Sequence, residues 1–93
     1  MRVIEERMLN AVRNKRNANL GNTSVVVEGD IVKVFLFGHK IYQKNYSTNE
    51  EGFSHCGWLT NTTKSRLNAL GANIYQKDFS WYNADGTPFV CTI

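Results

Sequence analysis

Residues 31–37, Ile-Val-Lys-Val-Phe-Leu-Phe, constrain the fold more than any other part of this sequence. In a strand successive side chains point to opposite faces. Val32, Val34 and Leu36 therefore share one face, and Ile31, Lys33, Phe35 and Phe37 share the other. Both faces are largely apolar, so this segment belongs in the middle of a sheet. Gly38-His39 follows with glycine first, the order of a type II′ hairpin loop. The chain is then expected to return as a strand over 40–46, where Tyr42, Lys44 and Tyr46 alternate with Ile41, Gln43 and Asn45. This segment is less apolar, as suits a position nearer an edge. Upstream, Glu28-Gly29-Asp30 reads as a turn fed by a strand at Val25-Val26-Val27.

The period differs on either side of this meander. From Arg2 to Asn17 the apolar residues Ile4, Met8, Ala11 and Val12 recur at helical spacing and form one stripe. Glu5 and Glu6 lie in the first turn, with Arg13, Lys15 and Arg16 near the end. Both sets complement the helix dipole, which gives the basic cluster a structural reading. Asn17, Asn19, Gly21 and Asn22 break the helix. Residues 47–52 read as a polar loop and 53–58 as a fourth strand interrupted by Gly57. Thr60-Asn61-Thr62-Thr63 offers several N-caps for a short helix reaching Leu70, with Gly71 placed to end it. Leu67 and Leu70 anchor this helix, and Lys64, Arg66 and Asn68 are expected to face outward. Strands are expected over 73–76, 79–82 and, after Asn83-Ala84-Asp85-Gly86 and Pro88, over 89–93. The expected order is α-β-β-β-β-α-β-β-β. This is one α+β domain over 1–93: a mostly antiparallel sheet with an N-terminal helix and a short second helix packed on one face. Its first six elements loosely match the α-β-β-β-α order of double-stranded RNA-binding domains, an analogy weakened by the extra C-terminal strands.

With 42% hydrophobic and 20% charged residues the chain has ordinary globular composition, not that of a disordered segment. No apolar run approaches the roughly 20 residues of a membrane helix, and acids stand where a secretion signal would carry its apolar stretch. No membrane partner is expected. Cys56 and Cys91 read as reduced, buried thiols. Together with His39 and His55 they match no zinc spacing, so neither metal nor cofactor is expected. The net charge of +3 is only mildly basic. Its distribution matters more than its total, because nucleic-acid-binding domains gather their excess on one face.

Few residues suggest catalysis. His55 and Cys56 are adjacent, and neighbours on a regular strand point apart, so they do not form a nucleophile–base pair. No phosphate-cradling glycine loop, HExxH or GxSxG is present, and a non-enzymatic protein is expected. Two stretches suggest binding. The start of the second helix combines free backbone N–H groups with Thr62 and Thr63 hydroxyls and the cations Lys64 and Arg66, suitable for a phosphate. The alternative is that Thr60–Thr63 only cap the helix and the cations form a solvated face. Residues 75–82 interleave Tyr75, Phe79, Trp81 and Tyr82 with Lys77. That pattern makes either a stacking platform for bases or, more commonly, one packed core face.

Several segments also resemble a pattern in small bacteriophage proteins. They are Asn22-Thr23, residues 34–41, Gly57-Trp58 and the run from Thr60 to Leu70, Tyr75-Gln76-Lys77 and Trp81-Tyr82. Where that pattern has leucine before the Gly-His turn, this chain has Phe37. The resemblance carries no catalytic residue. It implies a protein working in the cytoplasm of an infected bacterium and favours small binders of nucleic acid or of a host protein, such as an inhibitor of a defence system. The sequence-based expectation is thus a nucleic-acid-binding accessory protein using Thr62, Thr63, Lys64, Arg66, Lys77 and Trp81, with a host-protein binder as the alternative. An open sheet edge in so small a domain also allows a homodimer.

Overall fold

The computed structural model describes residues 2–93. Helix α1 (Val3–Arg13) is followed by strands β1 (Ala18–Asn19), β2 (Thr23–Glu28), β3 (Ile31–Leu36), β4 (His39–Asn45) and β5 (Glu50–Phe53). Helix α2 (Asn61–Ala69) and a hairpin of β6 (Ile74–Lys77) and β7 (Ser80–Asn83) complete the chain. The first five strands form one antiparallel sheet in sequential order. The fold is α+β, as the periodicities require, with β3 in the middle of the sheet.

Pairing separates the two sheet faces. Val25 lies opposite Val34 and Val27 opposite Val32, so these residues look toward the helices with Thr23 and Leu36. Ser24, Val26, Ile31, Lys33 and Phe35 look away. Met8, Ala11 and Val12 of α1, Leu67 and Leu70 of α2, and Ile74 and Trp81 of the hairpin close over the first face as a single core. A bulge in β4 opposite Val34 and Phe35 adds Ile41 to that core beside Tyr42.

Several elements differ from the sequence-based expectation. The β3–β4 turn is Phe37-Gly38, not Gly38-His39: both residues have positive φ (50° and 79°), as in a type I′ turn, and Leu36 pairs with His39. The expected loop at 47–52 contains all of β5 but Phe53, and Glu51 is held by cross-strand partners: Lys44 stands opposite it, and the Tyr42 hydroxyl donates to its Oε2 at 2.7 Å. The expected strand at 53–58 ends at once, because Cys56 and Gly57 take positive φ and turn the chain toward α2. Residues 89–93 form no ladder. They run from the hairpin to the β5 edge, where the Thr92 N–H donates to the Phe53 carbonyl at 2.8 Å. Ile93 lies over Gly52, and a side chain at Gly52 would collide with it. Helix α1 is shorter than the span 2–17, since Lys15 takes positive φ, and the short strand β1 was not anticipated.

Candidate nucleic-acid interface

The residues proposed at the start of α2 separate once folded. Thr60 caps the helix, its Oγ1 accepting from the Thr63 N–H at 3.2 Å and lying 3.0 Å from the Thr63 hydroxyl. Thr63 is buried and its hydroxyl is used inside this cap. Thr62 is half-buried. Lys64 reaches the hairpin, with Nζ 3.3 Å from Gln76 Oε1.

The outward position expected for Arg66 is wrong: it is only 2% exposed. Its Nη1 lies 2.8 Å from Glu5 Oε2, and its Nε donates to Thr23 Oγ1 at 3.1 Å. Thr63, Arg66, Leu67 and Leu70 follow the i, i+3, i+4, i+7 spacing of a helix stripe, so Arg66 takes an inward position. Glu5 occupies the matching inward position on α1. Burial, the largest influence on Glu5, pushes its carboxyl pKa up. Hydrogen bonds from Ser65, Arg66 and the Arg2 N–H, with the charge of Arg66, outweigh it and hold the pKa below the ordinary value.

Trp81 is likewise a core residue. It packs edge-on to His55 (5.9 Å between centroids) and near Phe89 (6.2 Å), leaving its buried Nε1 without a hydrogen-bond partner. Lys77 is exposed on the other face of the hairpin, opposite Ser80. Arg66 and Trp81 therefore have no surface from which to touch a nucleic acid.

The mouth of α2 is instead an apolar pocket of about 190 Å³ lined by Leu36, Phe37, His39, Ile41, His55, Trp58, Thr60, Thr62 and Thr63. Around it Phe37, Trp58 and Leu59 are 65%, 51% and 54% exposed, and the rings of His39 and Trp58 lie 5.5 Å apart. His55 Nδ1 accepts the Gly57 N–H at 2.9 Å, which places the neutral ring's proton on Nε2. The Cys56 thiol bonds to the Lys40 carbonyl at 2.8 Å. The two side chains are thus committed to different partners. No lysine, arginine, aspartate or glutamate lines the pocket.

Charge is concentrated on α1 and the residues flanking it. Residues 2–16 hold five cations (Arg2, Arg7, Arg13, Lys15, Arg16) against Glu5 and Glu6. Residues 17–93 hold six (Lys33, Lys40, Lys44, Lys64, Arg66, Lys77) against six acids (Glu28, Asp30, Glu50, Glu51, Asp78, Asp85). The whole net charge of +3 thus resides in the first sixteen residues. All five of those cations are exposed, whereas Glu5 is buried against Arg66. Lys15 also lies 3.3 Å from Asp30. Arg16 donates from Nη2 to Asn10 Oδ1 at 2.9 Å, and Asn14 Nδ2 donates to the same oxygen at 2.9 Å. A shallow groove of about 640 Å³ runs beside the helix, lined by Val3, Glu6, Arg7, Asn10, Arg16, Ala18 and Leu20. The sequence contained this signal as Arg7, Asn10 and Arg13, spaced by three on the face opposite Met8 and Val12.

The fold and its charge define a small α+β protein that is basic along one helix and its flanking residues and electrically balanced elsewhere. The chain belongs to a phage protein family, the Kyanoviridae Gp96 protein family, whose model matches residues 1–92. No curated protein matches it, and no solved structure does. No helix among the described residues is long and apolar enough to cross a membrane.

Proposed function

We propose that this phage protein is a non-enzymatic nucleic-acid-binding module acting inside the infected cell, with the exposed face of α1 as its contact surface. The observation that carries this reading is the confinement of the net charge to residues 2–16, on exposed side chains of α1 (Arg7, Arg13) and of the residues flanking it (Arg2, Lys15, Arg16). A one-sided field steers a polyanion to that side, and exposed arginines release counterions when they meet phosphates. Thr62, Lys64 and Lys77 lie outside this helix and play at most a peripheral part. The test is binding to labelled DNA and RNA across a salt series, comparing the wild type with an Arg7→Glu/Arg13→Glu variant. Both positions are exposed, so the fold persists while affinity drops at least tenfold at low salt. Equal affinity for the two proteins would sink the reading.

A second reading, a host-protein binder, is supported by the apolar pocket with Phe37, Trp58 and Leu59 exposed around it. Exposed aromatic anchors beside a pocket are a common pattern for binding hot spots. Such an interface would survive high salt. A host protein retained at about 0.5 M salt by the wild type and lost with Trp58→Ala supports it, and retention by both proteins or by neither rejects it.

A further inference from the structure

We propose that the partner of α1 is B-form duplex DNA, with the helix lying along the major groove and Asn10 facing the base edges; this rests on the nucleic-acid reading above. The outer face of α1, with the residues on either side of it, presents Arg2, Glu6, Arg7, Asn10, Arg13 and Arg16 and carries no aromatic ring. Proteins that hold single strands rely on rings on which unpaired bases stack. Here the most exposed rings, Phe37, Trp58 and Phe79, stand on other elements. Single-stranded nucleic acid would find cations on α1 but nothing to stack against.

The dimensions favour the same partner. Eleven helical residues span roughly 16 Å, and a helix about 10–12 Å across fits a B-form major groove about 12 Å wide. The deep, narrow major groove of A-form RNA does not admit it.

The order of side chains along the stripe also suits a groove. Arg2 and Arg7 lie toward one end, and Arg13 and Arg16 toward the other, where they meet phosphates on the groove walls. Asn10 stands between them. Its Oδ1 accepts from Asn14 Nδ2 and Arg16 Nη2, both at 2.9 Å, which fixes the amide plane before any ligand arrives. Among the described residues its Nδ2 donates to nothing, so two N–H groups remain for acceptors on base edges. Glu6, the one carboxylate of the stripe, lies one turn away and has the chemistry to accept from a cytosine amino group.

The experiment measures fluorescence anisotropy of a DNA duplex of about 20 base pairs, each of its single strands, and an RNA duplex of the same sequence. Each is titrated with the wild type, Asn10→Asp and Arg7→Glu/Arg13→Glu, after thermal melts confirm that the variants fold. The DNA duplex should bind at least tenfold tighter than the single strands or the RNA duplex. Neutralising about four phosphates predicts roughly a 100-fold loss of affinity between about 50 and 200 mM salt. Asn10→Asp, which places a carboxylate at the groove floor, should cost at least tenfold on the DNA duplex. Single strands or duplex RNA bound as tightly, with binding still lost in the double arginine variant, overturns the duplex-DNA inference and leaves the nucleic-acid reading standing. Binding that is absent, or indifferent to the double variant, overturns both.

Discussion

The two helices pack on the same face of the same sheet, yet they use their cations in opposite ways. On α1 the arginines project into solvent and only the carboxylate of Glu5 turns inward. On α2 the arginine turns inward and meets that carboxylate, joining residues 61 apart in the chain. Residue type alone therefore does not say whether a helix arginine is available to a ligand. Its position relative to the apolar stripe, and the presence of a partner across the core, decide that.

The largest effect expected from breaking this contrast is at Arg66. Arg66→Ala leaves the Glu5 carboxylate buried without its partner and should destabilise the protein by about 3–5 kcal/mol in urea unfolding. Arg13→Ala, the same change on the exposed helix, should stay within about 0.5 kcal/mol. Replacing the pair with neutral residues, Glu5→Gln with Arg66→Met, should recover most of the loss. The pair also gives the stability curve an acid limb. Because the folded pKa of Glu5 is depressed, its stabilisation is complete above the unfolded value of about 4.3 and is lost as pH falls through the folded value. The limb should shrink when Glu5 is glutamine. An Arg66→Ala protein as stable as the wild type would remove the distinction between the two helices.

The sequence made the fold legible where a period was long enough to count. The stripe of α1 was read from spacing, and Met8, Ala11 and Val12 are buried as it requires. The strands at 25–27, 31–37 and 40–46 were legible because β-branched and aromatic residues alternate between turn signals. Strand β5 was not, since Glu50, Glu51 and Gly52 lack strand propensity; they pair because β4 supplies Lys44 and Tyr42 opposite them, and the bare Gly52 leaves room for Ile93. The last five residues read as a strand by composition but found only isolated partners, the edge of β5 among them. At the candidate site the error came from treating α2 as a solvated helix. Its inward positions are filled partly by Thr63 and Arg66, so the apolar period is weak and the buried face was hidden. The opposite error hid α1: the dipole accounts for cations near its end, but Arg2 and Arg7 lie near its beginning, where the dipole gives them no support.

A smaller effect separates the helix starts. Thr60 accepts a hydrogen bond from the Thr63 N–H, and α2 has no acid in its first turn, so the hydroxyl is the cap it relies on. Thr60→Ala should cost about 1 kcal/mol. At α1 the residue before the helix is Arg2, whose side chain makes no cap bond, while its backbone N–H donates to Glu5 Oε1 at 3.3 Å. Arg2→Ala keeps that N–H and should leave urea stability within about 0.5 kcal/mol. Its effect should appear instead in nucleic-acid affinity, as a slightly shallower salt dependence, because one phosphate contact fewer lowers the slope by about 0.9. If Arg2→Ala cost as much stability as Thr60→Ala and left the salt slope unchanged, the basic residues of α1 would be structural, and the division of labour between the helices would not hold.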